Sequence, residues 1–171
     1  MTNTSRQYAL ALFSLAEEAK QIDEIYQEFH AFLEGFEDIT WKFFLNPKIE
    51  DADKKQVIEK TINNQLLIRF FKIVIDNNRF DHTEEMLKSY KALINASQNI
   101  AELIVYTNQA LTKTNKSKLK KKFEQQLNKK IMINEVIQPS IIGGIRVEYD
   151  GKVLDQTIDA SLEDLKSSLM G

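Results

Sequence analysis

"SIIGGIRVEYDGKVLD", Ser140 to Asp155, holds three of the five glycines in a chain of 171 residues, and its reading decides what kind of fold the chain adopts. A phosphate-cradling loop needs a glycine-rich turn that enters a helix, with Lys and then Ser or Thr following. After Gly143-Gly144 come Ile145, Arg146 and Val147, which continue a strand instead. The pair therefore reads as a bulge, or as a close backbone approach inside a sheet. Asp150-Gly151 is the dipeptide of a tight primed turn, in which both central residues need positive φ. The stretch is a β-hairpin.

Working outward from the hairpin, "KIMINEVI" upstream places Ile131, Ile133 and Val136 at alternating spacing and is closed by Pro139, as a strand would be. Before it, "LTKTNKSKLKKKFEQQLN" reads as a helix capped by Thr112, and "IAELIVYT" as a β-branched strand. Downstream, Ile158, Leu162, Leu165 and Leu169 fall on one stripe of a terminal helix over 157–170, with Thr157 as its cap. Residues 100–171 thus form a small α+β domain with a β-hairpin.

Residues 1–99 contrast with this. Apolar residues recur at helical spacing, and the breaks predict six helices over 5–20, 23–34, 38–45, 51–62, 64–76 and 81–96. Gly35 suits a C-terminal stop, and Pro47 ends the third helix because the residue before a proline disfavours helical geometry. Connections this short predict antiparallel neighbours, hence a six-helix bundle. Charge divides along the same line: residues 1–99 carry a net −4 and residues 100–171 a net +2. The fold class is mostly α, with an N-terminal helical bundle followed by the α+β domain.

Composition removes several functions. The chain has no cysteine, which excludes disulfides, thiolate nucleophiles and Cys-ligated zinc. His30 and His82 have neither a partner at metal-ligand spacing nor a companion carboxylate motif, and no nucleophile motif occurs. No catalytic residue, cofactor or metal is expected. The opening residues lack the basic and apolar regions of a secretory signal, so synthesis and work in one compartment are expected. "LLIRFFKIVI" is interrupted by Arg69 and Lys72 and falls well short of the ~18 apolar residues of a spanning helix. Eight lysines against one acid, Glu124, lie between Lys113 and Lys130. They could grip phosphates, which makes an RNA- or DNA-binding helical adaptor the alternative reading. Arginine is absent from that helix and its one aromatic, Phe123, sits at an apolar position beside Leu119 and Leu127, so a solvated face is favoured.

One signal stands above background. Tyr8, Ala9, Ala11, Leu12, Phe13, Leu15 and Ala16 fill an arc of roughly 200° at about 100° per residue, where one core-facing stripe needs about half of that. The fifth helix has only Arg69, Lys72 and Asp76 as a polar strip. Either it is the central helix of the bundle, or part of it lines an exposed groove shared with the first helix, of the kind that takes an amphipathic helix.

The order and spacing of "YALALFSLA" (Tyr8 to Ala16), "FLNPKI" followed by Lys54-Lys55, "DNNRF" (Asp76 to Phe80), "ALT" (Ala110 to Thr112) and "IIGGIRVEYDGKVLD" give the whole chain its resemblance to a known family. It resembles the delta subunits of F-type ATP synthases, bacterial counterparts of the mitochondrial oligomycin-sensitivity-conferring protein. The family commonly has Asp-Gly-Ser where this chain has Asp155-Gln156-Thr157. The resemblance implies a non-catalytic stator subunit that links the catalytic head to the membrane-anchored b subunits and resists rotor torque during proton-coupled ATP synthesis. It implies that residues 1–99 receive N-terminal helices of alpha subunits, that residues 100–171 contact the b subunits, and that partners hold the chain at the cytoplasmic face of the cell membrane. Joined to the apolar arc, it makes Tyr8, Ala11, Leu12 and Leu15 of the first helix, with Phe70 and Ile73 of the fifth, the expected alpha-helix site, Ala11 permitting close approach.

Overall fold

A computed structural model describes residues 3–149 and 151–157. The turn residue Asp150 and residues 158–170 of the expected terminal helix lie outside the described residues, while Thr157, expected as its cap, is the last residue of a strand. Among those described, the chain is mostly helical with a C-terminal four-stranded sheet, and it divides into two compact units, Met1–Ile94 and Asn95–Gly171.

In the first unit α1 (Asn3–Glu18), α2 (Ile22–Glu34), α3 (Asp38–Leu45), α4 (Asp51–Thr61), α5 (Gln65–Asp76) and α6 (Thr83–Ser97) follow one another, with a single 3-10 turn over Phe80–His82 before α6. That turn arises where the sixth helix was expected to begin; the Thr83 hydroxyl donates to the Phe80 carbonyl at 2.8 Å and holds the junction. The core is unusually aromatic. Phe71 meets Phe29 at 5.0 Å and Phe32 at 4.9 Å between ring centroids, while Phe44 and Phe80 stack at 4.2 Å. Rings of this size remove much apolar area from water per residue ordered, which lets short helices hold together. Tyr90 is fully buried, its hydroxyl donating to the Ile22 carbonyl at 3.1 Å, and burial pushes its pKa well above the ordinary tyrosine value.

The scarcity of glycine has a structural counterpart. Lys20, Asn78, Asn99 and Asn128 adopt positive φ of 57°, 52°, 54° and 51° just beyond the ends of α1, α5, α6 and α7 (Lys113–Leu127). All four ends are turned without glycine, three of them by asparagine, which tolerates the left-handed region through local hydrogen bonding. Gly35 does end α2, but with φ −75°, so that stop uses none of glycine's special freedom.

The second unit has β1 (Ile100–Thr107), α7, β2 (Lys130–Ile137), β3 (Gly144–Tyr149) and β4 (Lys152–Thr157), with strand order β2-β1-β3-β4. β1 and β2 are parallel, with Ala101 opposite Ile131, while β3 pairs antiparallel with both β1 and β4. The parallel pair needs a crossover, and α7 supplies it. Ala101, Leu103, Val105, Ile131 and Val147 form the core of this unit with Phe123 of α7. Val136 breaks the expected inward alternation of β2: it lies 40% exposed, on the strand face opposite Ile131 and Ile133.

Candidate functional site

α5 is placed with care at its start. Asn64 is its N-cap, its side-chain oxygen accepting from the Leu66 and Leu67 amides at 3.0 and 3.3 Å. The Glu28 carboxylate of α2 accepts from the amides of Asn63 and Asn64 at 2.5 and 3.1 Å, so two helix-end donors are satisfied from a neighbouring helix. From this anchor one face of α5, with Leu67, Phe71, Val74 and Ile75, enters the core, and the face with Leu66, Phe70 and Ile73 turns toward α1. The helix thus buries one face and lines a groove with another.

That groove, with a volume of about 480 Å³, runs between α1 and α5. Gln7, Tyr8, Ala11, Leu12 and Leu15 line it from α1, and Leu66, Arg69, Phe70 and Ile73 from α5. Leu12 and Phe70 are buried and make the floor, whereas Leu15 and Ile73 are 50% and 53% exposed on the walls. Tyr8 is half-buried and meets Phe70 edge-on at 6.3 Å, and Ala11 is exposed. All six residues expected from the sequence thus line one cleft. Gln7, Leu66 and Arg69 line it too and are not among the six: a search for surplus apolar surface passes over polar Gln7 and Arg69, and periodicity does not distinguish Leu66 from its apolar neighbours on α5.

The outer strip of α5 is mostly neutralised by α4. Lys72 Nζ lies 2.5 Å from Glu59 Oε1, and Lys55 Nζ pairs with Asp76.

In the second unit Gly144 has φ +88°, and a Cβ there would lie 2.1 Å from the Gln156 carbonyl oxygen and 2.8 Å from the Thr157 Cα. Both obstacles are backbone, so only glycine fits. Gly143 forms the bend just before β3. Gly151 has φ +73° with open space around it, in the two-residue connection between Tyr149 and its partner Lys152. Thr157 ends β4, its hydroxyl donating to Asp155 Oδ1 at 2.7 Å. Hydrogen bonds from the Thr157 hydroxyl and amide hold the Asp155 carboxyl below its ordinary pKa.

The lysine-rich helix carries Thr112 as N-cap, accepting from the Asn115 amide at 3.2 Å. Lys116 pairs with Glu135 of β2 at 2.6 Å, and the same carboxylate accepts from the Leu111 amide. These bonds, the Leu111 amide foremost, lower the Glu135 pKa and tie the start of α7 to the sheet. On the sheet face away from α7, Arg146 lies 4.5 Å over the Tyr106 ring, and exposed Val136 stands opposite Tyr106 in register. Among the described residues no cluster of side chains could hold a metal, and no helix is long and apolar enough to cross a membrane.

Fold and groove define a two-unit protein with an apolar cleft between two helices of its first unit. Solved structures of the same fold come from rotary ATP synthases: the Toxoplasma gondii mitochondrial ATP synthase hexamer contains a chain matched at a TM-score of 0.76 with 16% identity, over 99% of both chains. The Polytomella F-ATP synthase contains another, at 0.51 with 18% identity, over 57% of this chain and 90% of that one. Residues 4–169 match the family described as ATP synthase delta (OSCP) subunit. ATP synthase subunit delta of Mycoplasma capricolum subsp. capricolum is 35% identical over 98% of this chain and 96% of that protein; its counterpart in Clostridium botulinum strain Langeland is 30% identical over 96% and 95%. The chain belongs to the ATP synthase delta (OSCP) subunit family. It is a non-catalytic, peripheral-stalk subunit of the F-type ATP synthase, and the reading of α7 as a nucleic-acid grip finds no support.

Proposed function

We propose that the α1–α5 groove receives an amphipathic N-terminal helix of an alpha subunit of the catalytic head, and that the second unit contacts the b subunits of the peripheral stalk. The division of labour follows the sequence domains: residues 1–99, read as a six-helix bundle, hold the head, and residues 100–171, with the β3–β4 hairpin, hold the stalk. The subunit then sits at the cytoplasmic face of the cell membrane through its partners and keeps the head from turning with the rotor.

The observation that carries this reading is the half-exposed pair Leu15 and Ile73 standing over the buried floor of Leu12 and Phe70. Large apolar side chains left in water on both walls of a cleft gain free energy when covered, at about 25 cal/mol per Å² before the costs of association are subtracted. Tyr8 to Leu15 spans two helical turns, or about 10 Å of groove, which matches apolar anchors at i, i+3 or i+4, and i+7 of a visiting helix. Exposed Ala11 leaves room between the larger residues for close contact.

Calorimetric titration of the full chain with a synthetic alpha-subunit N-terminal peptide tests the proposal. Ala11→Asp puts a charge where the visiting helix must desolvate it and is expected to weaken binding at least ~30-fold. Circular dichroism should be unchanged, because Ala11 is exposed. Equal affinity of Ala11→Asp and the parent chain would remove the groove from the account.

A further inference from the structure

We propose that Arg69 is the specificity-determining residue of this groove, selecting a visiting helix that carries a carboxylate beside its apolar stripe and thereby fixing the direction and register in which that helix docks. The inference rests on the reading of the groove as a helix-docking site and adds to it the chemistry of the occupant.

On the polar strip of α5, Lys72 is held by Glu59 and Asp76 by Lys55, both from α4. Arg69 lies on the same strip, is exposed, lines the groove, and has no ion pair among the described residues. None of the nine residues lining the cleft is acidic, and the other polar groups, the Gln7 amide and the Tyr8 hydroxyl, are uncharged. The groove therefore has a largely apolar floor and walls, uncharged polar groups of Gln7 and Tyr8 contributed by α1, and one unanswered cation contributed by α5.

This asymmetry has a consequence for recognition. Apolar walls alone discriminate poorly between a helix and the same helix reversed or slid by a turn, because leucine-like anchors recur every three or four residues. A single charge on one side breaks that degeneracy. When the stripe of a visiting helix fills the cleft, its flanking residues lie over the two rims, and a carboxylate on one flank meets the planar guanidinium fork, which binds carboxylates in bidentate geometry. The neighbouring apolar cover lowers local water access, so the pair counts for more than an isolated surface ion pair. A helix with no acid on that flank leaves the arginine unpaired, and one with a base there is repelled.

The test compares two probes on the full chain: the alpha-subunit N-terminal peptide, and the same peptide with its acidic residues converted to amides. The parent chain should bind the acidic peptide about tenfold more tightly, with an affinity that falls more steeply with added salt. Arg69→Gln should lose about tenfold toward the acidic peptide and no longer distinguish the two, while Arg69→Lys should recover part of the difference. If Arg69→Gln binds the acidic peptide as tightly as the parent while Ala11→Asp still weakens it, the groove stands and the role of Arg69 is refuted. If the parent binds both peptides equally, the carboxylate requirement is refuted as well. If Ala11→Asp also leaves binding untouched, the docking reading itself has failed, and the two failures are thereby told apart.

Discussion

The two units solve the same problem with opposite materials. The helical unit uses large rings, with Phe29, Phe32, Phe44, Phe70, Phe71 and Phe80 in a connected cluster. Among the described residues, the sheet unit has an aliphatic core with Phe123 as its one buried ring. It depends instead on fixed backbone points: the approach of Gly144 to Gln156, and the Glu135 carboxylate that ties Leu111 and Lys116 to β2. The contrast teaches where each unit has freedom to spare. A core rich in rings can leave Leu15 and Ile73 in water and still be stable, so the groove costs the first unit little.

The comparison can be broken most severely at the rings. Phe71→Ala removes a fully buried side chain, 0% exposed, at the centre of the aromatic cluster. It should destabilise the first unit by about 3–5 kcal/mol, read as lost amide protection there in segment-resolved hydrogen exchange. Next in size is Gly144→Ala. The strained φ and the clash with strand backbone are expected to cost about 2–3 kcal/mol and to lower protection in β3 and β4, with α1 to α6 unaffected. Equal loss in both units would show that their stabilities are not separate.

A smaller effect is expected at Asn64, whose replacement by Ala removes the α5 cap. The expected loss is ~1 kcal/mol, measurable by chemical denaturation. The smallest sharpens the comparison through pH. Hydrogen bonds to the charged form depress the Glu135 pKa, so the stability it contributes is present above the unfolded carboxyl value, near 4.5, and is lost as pH falls through the lower folded value. Acidification should release the Leu111 amide before the aromatic core responds, and Glu135→Gln should abolish that early step, as followed by amide chemical shifts.

How legible was this in the sequence? The helices were, because turn signals and the 100° period repeat locally, and the groove was visible as an arc too wide for one core face. Leu12 and Leu15 differ by three residues, yet one is 2% and the other 50% exposed. Periodicity identified both as apolar, but only the position of α5 separates floor from wall. The sheet was less legible. Strand content could be read, but the parallel pairing of β1 with β2 and the central place of β1 depend on partners distant in sequence. Glycine at 144 signalled a close approach without naming Gln156 as the neighbour. The rim residues Gln7 and Arg69 are not picked out by a search for surplus apolar surface, because their side chains are polar. Glu28 capping α5 across 36 residues had no local signature at all.

The central claim is that the first unit leaves its α1–α5 cleft open for a helix from an alpha subunit. Its most direct test is a nuclear magnetic resonance titration of the labelled full chain with the alpha-subunit N-terminal peptide. The account predicts that the largest shifts fall on Tyr8, Ala11, Leu15, Leu66, Arg69 and Ile73, with β1 to β4 unchanged. Saturable binding whose shifts map to the sheet unit, or no shifts at all, would contradict it.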